Sequence, residues 1–132
     1  MTRFQMALIA SVLGIAGADA QAIDCANAQV QMELNFCAER DWMIADADLN
    51  DAYKAAQAVM KGIGTEFPAT QNEASSDLRD AQRAWVTFRD AACSAEGFLW
   101  YGGSGEQMII YSCRARLTRD RATDLWALSE GF

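Results

Sequence analysis

Proline occurs once in this 132-residue chain, at Pro68. Proline is the residue that most strongly disrupts a helix interior, so long helices are permitted on both sides of it. Alanine, Leu, Met, Gln, Glu and Arg are frequent, and the apolar residues recur at helical spacing. Three helices are predicted. The first is expected from about Ala28 to Lys61, with Ala45, Leu49, Ala52 and Ala56 on one face and Gly62 and Gly64 as its stop. "GIGTEFPAT" forms the connection. The second starts near Thr70, where Thr70 and Glu73 make a capping-box pattern, and ends near Gly97. Its apolar stripe reads Leu78, Ala81, Trp85, Phe88 and Ala92. The third starts at Ser104, with Ser104-Gly105-Glu106-Gln107 as a second capping box. It runs through Ile110, Cys113, Leu117, Leu125 and Leu128 to Gly131.

Two short connections make neighbours antiparallel, which predicts an all-α, three-helix up-down-up bundle. At 1.5 Å per residue the second and third helices span roughly 40 Å each, and the first is about 10 Å longer. Its N-terminal end is therefore expected to overhang.

The first twenty residues differ from the rest. A short basic start, the apolar run "MALIASVLGIAGA" and Ala18-Asp19-Ala20 have the layout of a secretory signal peptide. Residues 21–132 are expected to form a single domain. Cleavage removes one Arg and one Asp, so the net charge stays at −7. "AID" before Cys25 does not suit lipidation, so no membrane insertion is expected after cleavage. The location implied is the periplasm or the exterior.

In that setting Cys25, Cys37, Cys93 and Cys113 read as two disulfides. No CxxC motif is present. Three connectivities are possible. Four extended residues reach about 13 Å, and a helix from 29 to 37 rises about 12 Å, so Cys25 can reach Cys37. Cys37 also lies near the level of Cys93. The two local loops, Cys25–Cys37 and Cys93–Cys113, are preferred because each closes a short segment around a helix end. Bridging, not reactivity, is the expected role of Cys93.

The chain has no histidine. Ser-His-Asp and Cys-His catalysis and His-based metal sites are thereby excluded. No cofactor or enzymatic activity is expected. The acidic balance argues against nucleic acid and suits a cationic partner.

Folding the first two helices about residue 66 pairs positions whose numbers sum to about 132. Asn50 then lies level with Gln82, and Asp46 within a turn of Trp85 and Arg89. The expectation is a structural polar cluster: Arg89 on the Asp46 carboxylate, Asn50 and Gln82 exchanging amide hydrogen bonds, and Trp85 beside them. The functional alternative for these residues is a ligand pocket or acid–base site.

The connection "GFLWYGGSGE" is more apolar than a loop needs. Phe98, Trp100, Tyr101, Ser104 and Glu106 are candidate partner-binding residues, since aromatic anchors beside flexible glycines suit a binding loop. The preferred expectation is that the rings fold back over the bundle end, with Ser104 capping the third helix.

Cys25, Cys37, "DADLNDAY" (Asp46 to Tyr53), "QRAWVTFRDAAC" (Gln82 to Cys93), Cys113, Arg121 and Leu125 together resemble the lysozyme-inhibitor LprI-like N-terminal family. The resemblance covers nearly the whole of residues 21–132. It implies a secreted or periplasmic helical domain that binds and blocks lysozyme. Lysozymes are commonly cationic, which a −7 domain suits. The alternative is an envelope structural or assembly module that meets another periplasmic protein through a helix face.

Overall fold

The computed structural model describes residues 23–66 and 71–131. The expected signal peptide, Pro68 and the Thr70 cap lie outside those residues. Three helices account for nearly all of the rest: α1 (Gln31–Glu66), α2 (Gln71–Gly97) and α3 (Glu106–Glu130), with a 3-10 turn at Phe98–Trp100. Consecutive helices are antiparallel, so α1 and α3 run parallel.

α1 continues through Gly62 and Gly64, where a stop was expected. A glycine in a helix interior costs about 1 kcal/mol against alanine, which weakens a helix without ending it. Glycine terminates a helix where it turns left-handed, as Gly131 does after α3 at φ 84°. α1 runs as far as Glu66, the last described residue before the connection.

α1 and α3 share the closest interface. Ala45, Ala52 and Ala56 on α1 and Ala115 and Ala122 on α3 are all buried, and such small side chains let two backbones approach. The main apolar cluster joins Leu49, Ala52 and Ala56 to Leu78 of α2 and to Ala122 and Leu125 of α3. Tyr53, Met60, Trp85 and Leu128 pack around it.

The rotation of α2 differs from expectation. Phe88 is 60% exposed and Ala81 is exposed, while Leu78, Arg89 and Cys93 are buried. The inward line is Leu78, Gln82, Trp85, Arg89 and Cys93. The two lines share Leu78 and Trp85, but Gln82, Arg89 and Cys93 replace Ala81, Phe88 and Ala92, which turns the inward face by less than one residue step of about 100°. The cause is the Cys93–Cys113 bridge together with the polar partners that α1 and α3 offer to Arg89 and Gln82.

The disulfides are the two local ones, Cys25–Cys37 and Cys93–Cys113, with Cα separations of 5.5 and 5.4 Å. Closing such loops adds roughly 3 kcal/mol each by chain entropy. Cys25 sits in a turn built on Asp24, whose carboxylate accepts from the Asn27 side chain and the Ala26 N–H. These bonds, Asn27 first, hold the exposed Asp24 carboxyl below its ordinary value.

The expected N-terminal overhang is not found. Asn35 donates to the Ser104 carbonyl at 2.9 Å, and Gln31 reaches the Met108 sulfur at 3.7 Å. Partners between α1 and the stretch from Ser104 through α3 stand 69 to 78 positions apart, so α3 runs out level with the C-terminal half of α1, short of its end. The free length is thus at the C-terminal end of α1, which pairs with the start of α2 through Gln57 and Ser75.

Candidate functional site

Two features concentrate polar and aromatic chemistry. The first is a seam where all three helices meet at Arg89, whose side chain is only 7% exposed. Its Nη1 donates to Asp46 Oδ1 at 3.2 Å and to Thr118 Oγ1 at 3.4 Å; its Nε donates to Asp90 Oδ1 at 3.0 Å. Its Cζ also lies 5.3 Å from the ring centre of Trp85 and 5.5 Å from that of Trp42. Arg114 continues the stack, 5.1 Å from Trp42 and 5.8 Å from Tyr111. Its Nε stands 3.4 Å from Asp90 Oδ1, an ionic contact without hydrogen-bond alignment. Two arginines and two aspartates balance in charge, and both carboxylates remain partly exposed.

Asp46 and Arg89 therefore meet, with Trp85 beside them. The expected amide exchange between Asn50 and Gln82 is not made. Asn50 Nδ2 donates to Asp46 Oδ2 at 3.3 Å, and Gln82 Oε1 accepts from Arg121 Nε at 3.0 Å. A charged donor from α3 makes a stronger partner for the Gln82 carbonyl than a neutral amide does. Trp42, Asp90, Tyr111, Arg114 and Thr118 were not foreseen in the seam. Trp42 could have been, since it precedes Asp46 by four residues and shares its face. The Trp42 indole N–H is buried and has no hydrogen-bond partner. Burial raises the Tyr111 phenol above its ordinary value; the nearby Glu39 adds to the rise, and Arg114 opposes it.

The second feature is the bundle end between α2 and α3. The rings do not fold back as expected. Phe98, Leu99, Trp100 and Tyr101 are 66%, 83%, 54% and 74% exposed. Phe98 and Tyr101 instead stack on each other with centroids 5.3 Å apart. The Trp100 ring edge rests against Gly105, beside Gln31. The loop is nonetheless held firmly. Gly103 N–H donates to the Trp100 carbonyl at 2.8 Å, and Gly102, at φ 73°, donates to Glu106 Oε2 at 2.9 Å. Glu106 is thus a brace of the loop. Ser104 does not cap α3: Gly105 occupies that position without a side-chain cap, while the Ser104 carbonyl accepts from Asn35. The connection from residue 98 to 105 opens with the 3-10 turn Phe98–Trp100, none of whose side chains is buried.

Among the described residues no cluster of His, Cys, Asp or Glu could hold a metal ion, and no helix is long and apolar enough to cross a membrane.

The architecture defines a small disulfide-stapled helical module with a charged aromatic seam and an apolar end. The chain belongs to the lysozyme inhibitor LprI family, whose model matches residues 24–125. It is 42% identical over 110 residues to an uncharacterized protein of Rhizobium meliloti (strain 1021), covering 81% of this chain and 79% of that one. It is also similar to the crystal structure of a DUF1311 family protein from Pseudomonas putida KT2440. There the TM-score is 0.62 at 25% identity, over 76% of this chain and 94% of the other.

Proposed function

We propose that this chain is an exported binding module that docks on lysozyme through its apolar end and blocks it, with the seam as framework. The observation that carries this reading is the loop from Phe98 to Tyr101, exposed yet internally hydrogen-bonded. A loop already held in place loses little conformational freedom on binding, and exposed Trp and Tyr are the residues that most often anchor an interface. Membership of the family supports the identity of the partner. A net charge of −7 supports steering toward a cationic enzyme. The chain acts as a binder and not as an enzyme on this reading, since it lacks histidine and its cysteines are bridged.

The test is a lysis assay on bacterial cell walls. Wild-type protein is expected to slow lysis by lysozyme, and a Trp100→Ala, Tyr101→Ala double variant of unchanged melting temperature is expected to lose most of that effect. Equal inhibition by the two would remove the loop from the account.

A second reading has its own observation. Met32, Phe36 and Met43 form an exposed apolar line on α1. An envelope module meeting another periplasmic protein through a helix face would use that line. Changing it to polar residues would leave lysozyme inhibition intact and abolish capture of the envelope partner.

A further inference from the structure

The groove between α1 and α2 gathers cations that the rest of the molecule does not engage. Two adjoining clefts of about 520 and 600 Å³ run along it and share Tyr53 and Arg79. Both lysines of the chain, Lys54 and Lys61, line it from α1, and Arg79 and Arg83 line it from α2. The arginines of α3 are occupied: Arg114 with Asp90, Arg116 with Glu96, Arg119 with Asp41 and Arg121 with Gln82. Lys61 and Arg83 have no ion-pair partner among the described residues. Lys54 and Arg79 hold only Asp51 and Asp80, close sequence neighbours, in exposed pairs of little strength. The one carboxylate lining the groove, Asp46, is taken by Arg89. A cationic strip therefore crosses a molecule of net charge −7.

The spacing and the remaining lining narrow the ligand. Lys54 and Lys61 stand about 10 Å apart on one helix face, and Arg79 and Arg83 about 6 Å apart opposite them. Anions set at intervals along an extended chain suit two such rows better than one compact anion does. Between the cations lie neutral hydrogen-bonding groups: Asn50, Tyr53, Gln57, Ser75 and Gln82. Gln57 is already tied to Tyr53 and Ser75, which fixes the wall, whereas Gln82 uses its oxygen for Arg121 and its amide N–H groups have no partner among the described residues. Apolar lining is limited to Leu49, Ala58 and Val86, too little to seat an amphipathic helix.

We propose that this groove binds an acidic oligosaccharide, its carboxylates on Lys54, Lys61, Arg79 and Arg83 and its hydroxyls on the amides and Tyr53. The site is separate from the apolar end, so it stands or falls independently of lysozyme binding.

The experiment is calorimetric titration of the full exported chain with tetragalacturonate, alongside neutral chitotetraose, a hexaglutamate peptide and inorganic phosphate. Tetragalacturonate is expected to bind and chitotetraose not to. Arg79→Gln with Arg83→Gln, both exposed positions, should weaken binding about tenfold or more at unchanged melting temperature. Arg116→Gln with Arg119→Gln removes the same charge from α3 and should alter binding less than about twofold. No binding at millimolar sugar would overturn the proposal, as would an equal loss in the α3 variant. Hexaglutamate or phosphate binding as tightly as the sugar would assign the groove to acidic peptides or to anions in general, and so refute it.

Discussion

Arg89 joins three helices through one planar group. Its fork takes two carboxylates and a threonine hydroxyl, and two indoles lie beside it. Arg89→Ala should lower stability by about 3 kcal/mol, from lost charge-assisted hydrogen bonds and lost packing on the rings. The cost does not come from a stranded buried carboxylate, because Asp46 and Asp90 remain 39% and 43% exposed and can rehydrate. Arg89→Lys keeps the charge without the fork and should lose roughly half as much. Urea denaturation of the two variants measures both values, and an unchanged midpoint for Arg89→Ala would contradict the seam. Tyr111 offers a second check. A phenol raised in the folded state stabilises the fold fully below about pH 10, and that contribution falls away as pH climbs toward the folded value. The absorbance difference between wild type and Tyr111→Phe should titrate with a midpoint above 10. The contact of Asp46 with Arg89 was legible from helical spacing and antiparallel levelling. The aromatic part was not, because Trp42 and Tyr111 read as ordinary core residues when hydrophobicity alone is considered.

At the scale of elements, helix number and order were legible and the disulfide pairing was the preferred of three, since periodicity and cysteine spacing act locally; Gly62 and Gly64 misled, because α1 runs through both. Rotation was not legible. Reading α2 by its apolar residues puts Phe88 inward, whereas the folded helix turns Arg89 and Cys93 inward and leaves Phe88 in solvent. An apolar-face rule fails where the interface itself is polar. The same rule placed the rings of Phe98 and Trp100 over the bundle end, whereas both stand exposed. Gly97 shows how close α2 and α3 come: a Cβ there would stand 2.6 Å from Ile110 Cγ1. Gly97→Ala should therefore destabilise by about 1–2 kcal/mol, and Ile110→Ala added to it should recover part of the strain. Thermal melts of the single and double variants test this, and additive losses would contradict the close approach.

For the whole molecule, the core is small and rich in alanine, so the two bridges supply a large share of stability. Reduction should remove roughly 6 kcal/mol, comparable with the net stability of a small domain, and lower the melting temperature steeply. Native protein should show no reactive thiol, and mass spectrometry finding four free thiols in exported material would contradict that. Charge and the apolar end act at this scale too. Raising salt shortens the screening length from about 10 Å at 0.1 M to about 3 Å at 1 M, so association with a cationic partner should slow. Losing a central aromatic anchor should instead speed dissociation, by an amount matching about 2 kcal/mol. The most direct measurement is surface-binding kinetics of residues 21–132 on lysozyme, comparing wild type, Trp100→Ala and the exposed, remote Asp77→Asn. The account predicts binding whose on-rate falls with salt, a faster off-rate for Trp100→Ala and little change for Asp77→Asn. No binding at tens of micromolar, or Trp100→Ala indistinguishable from wild type, would contradict it.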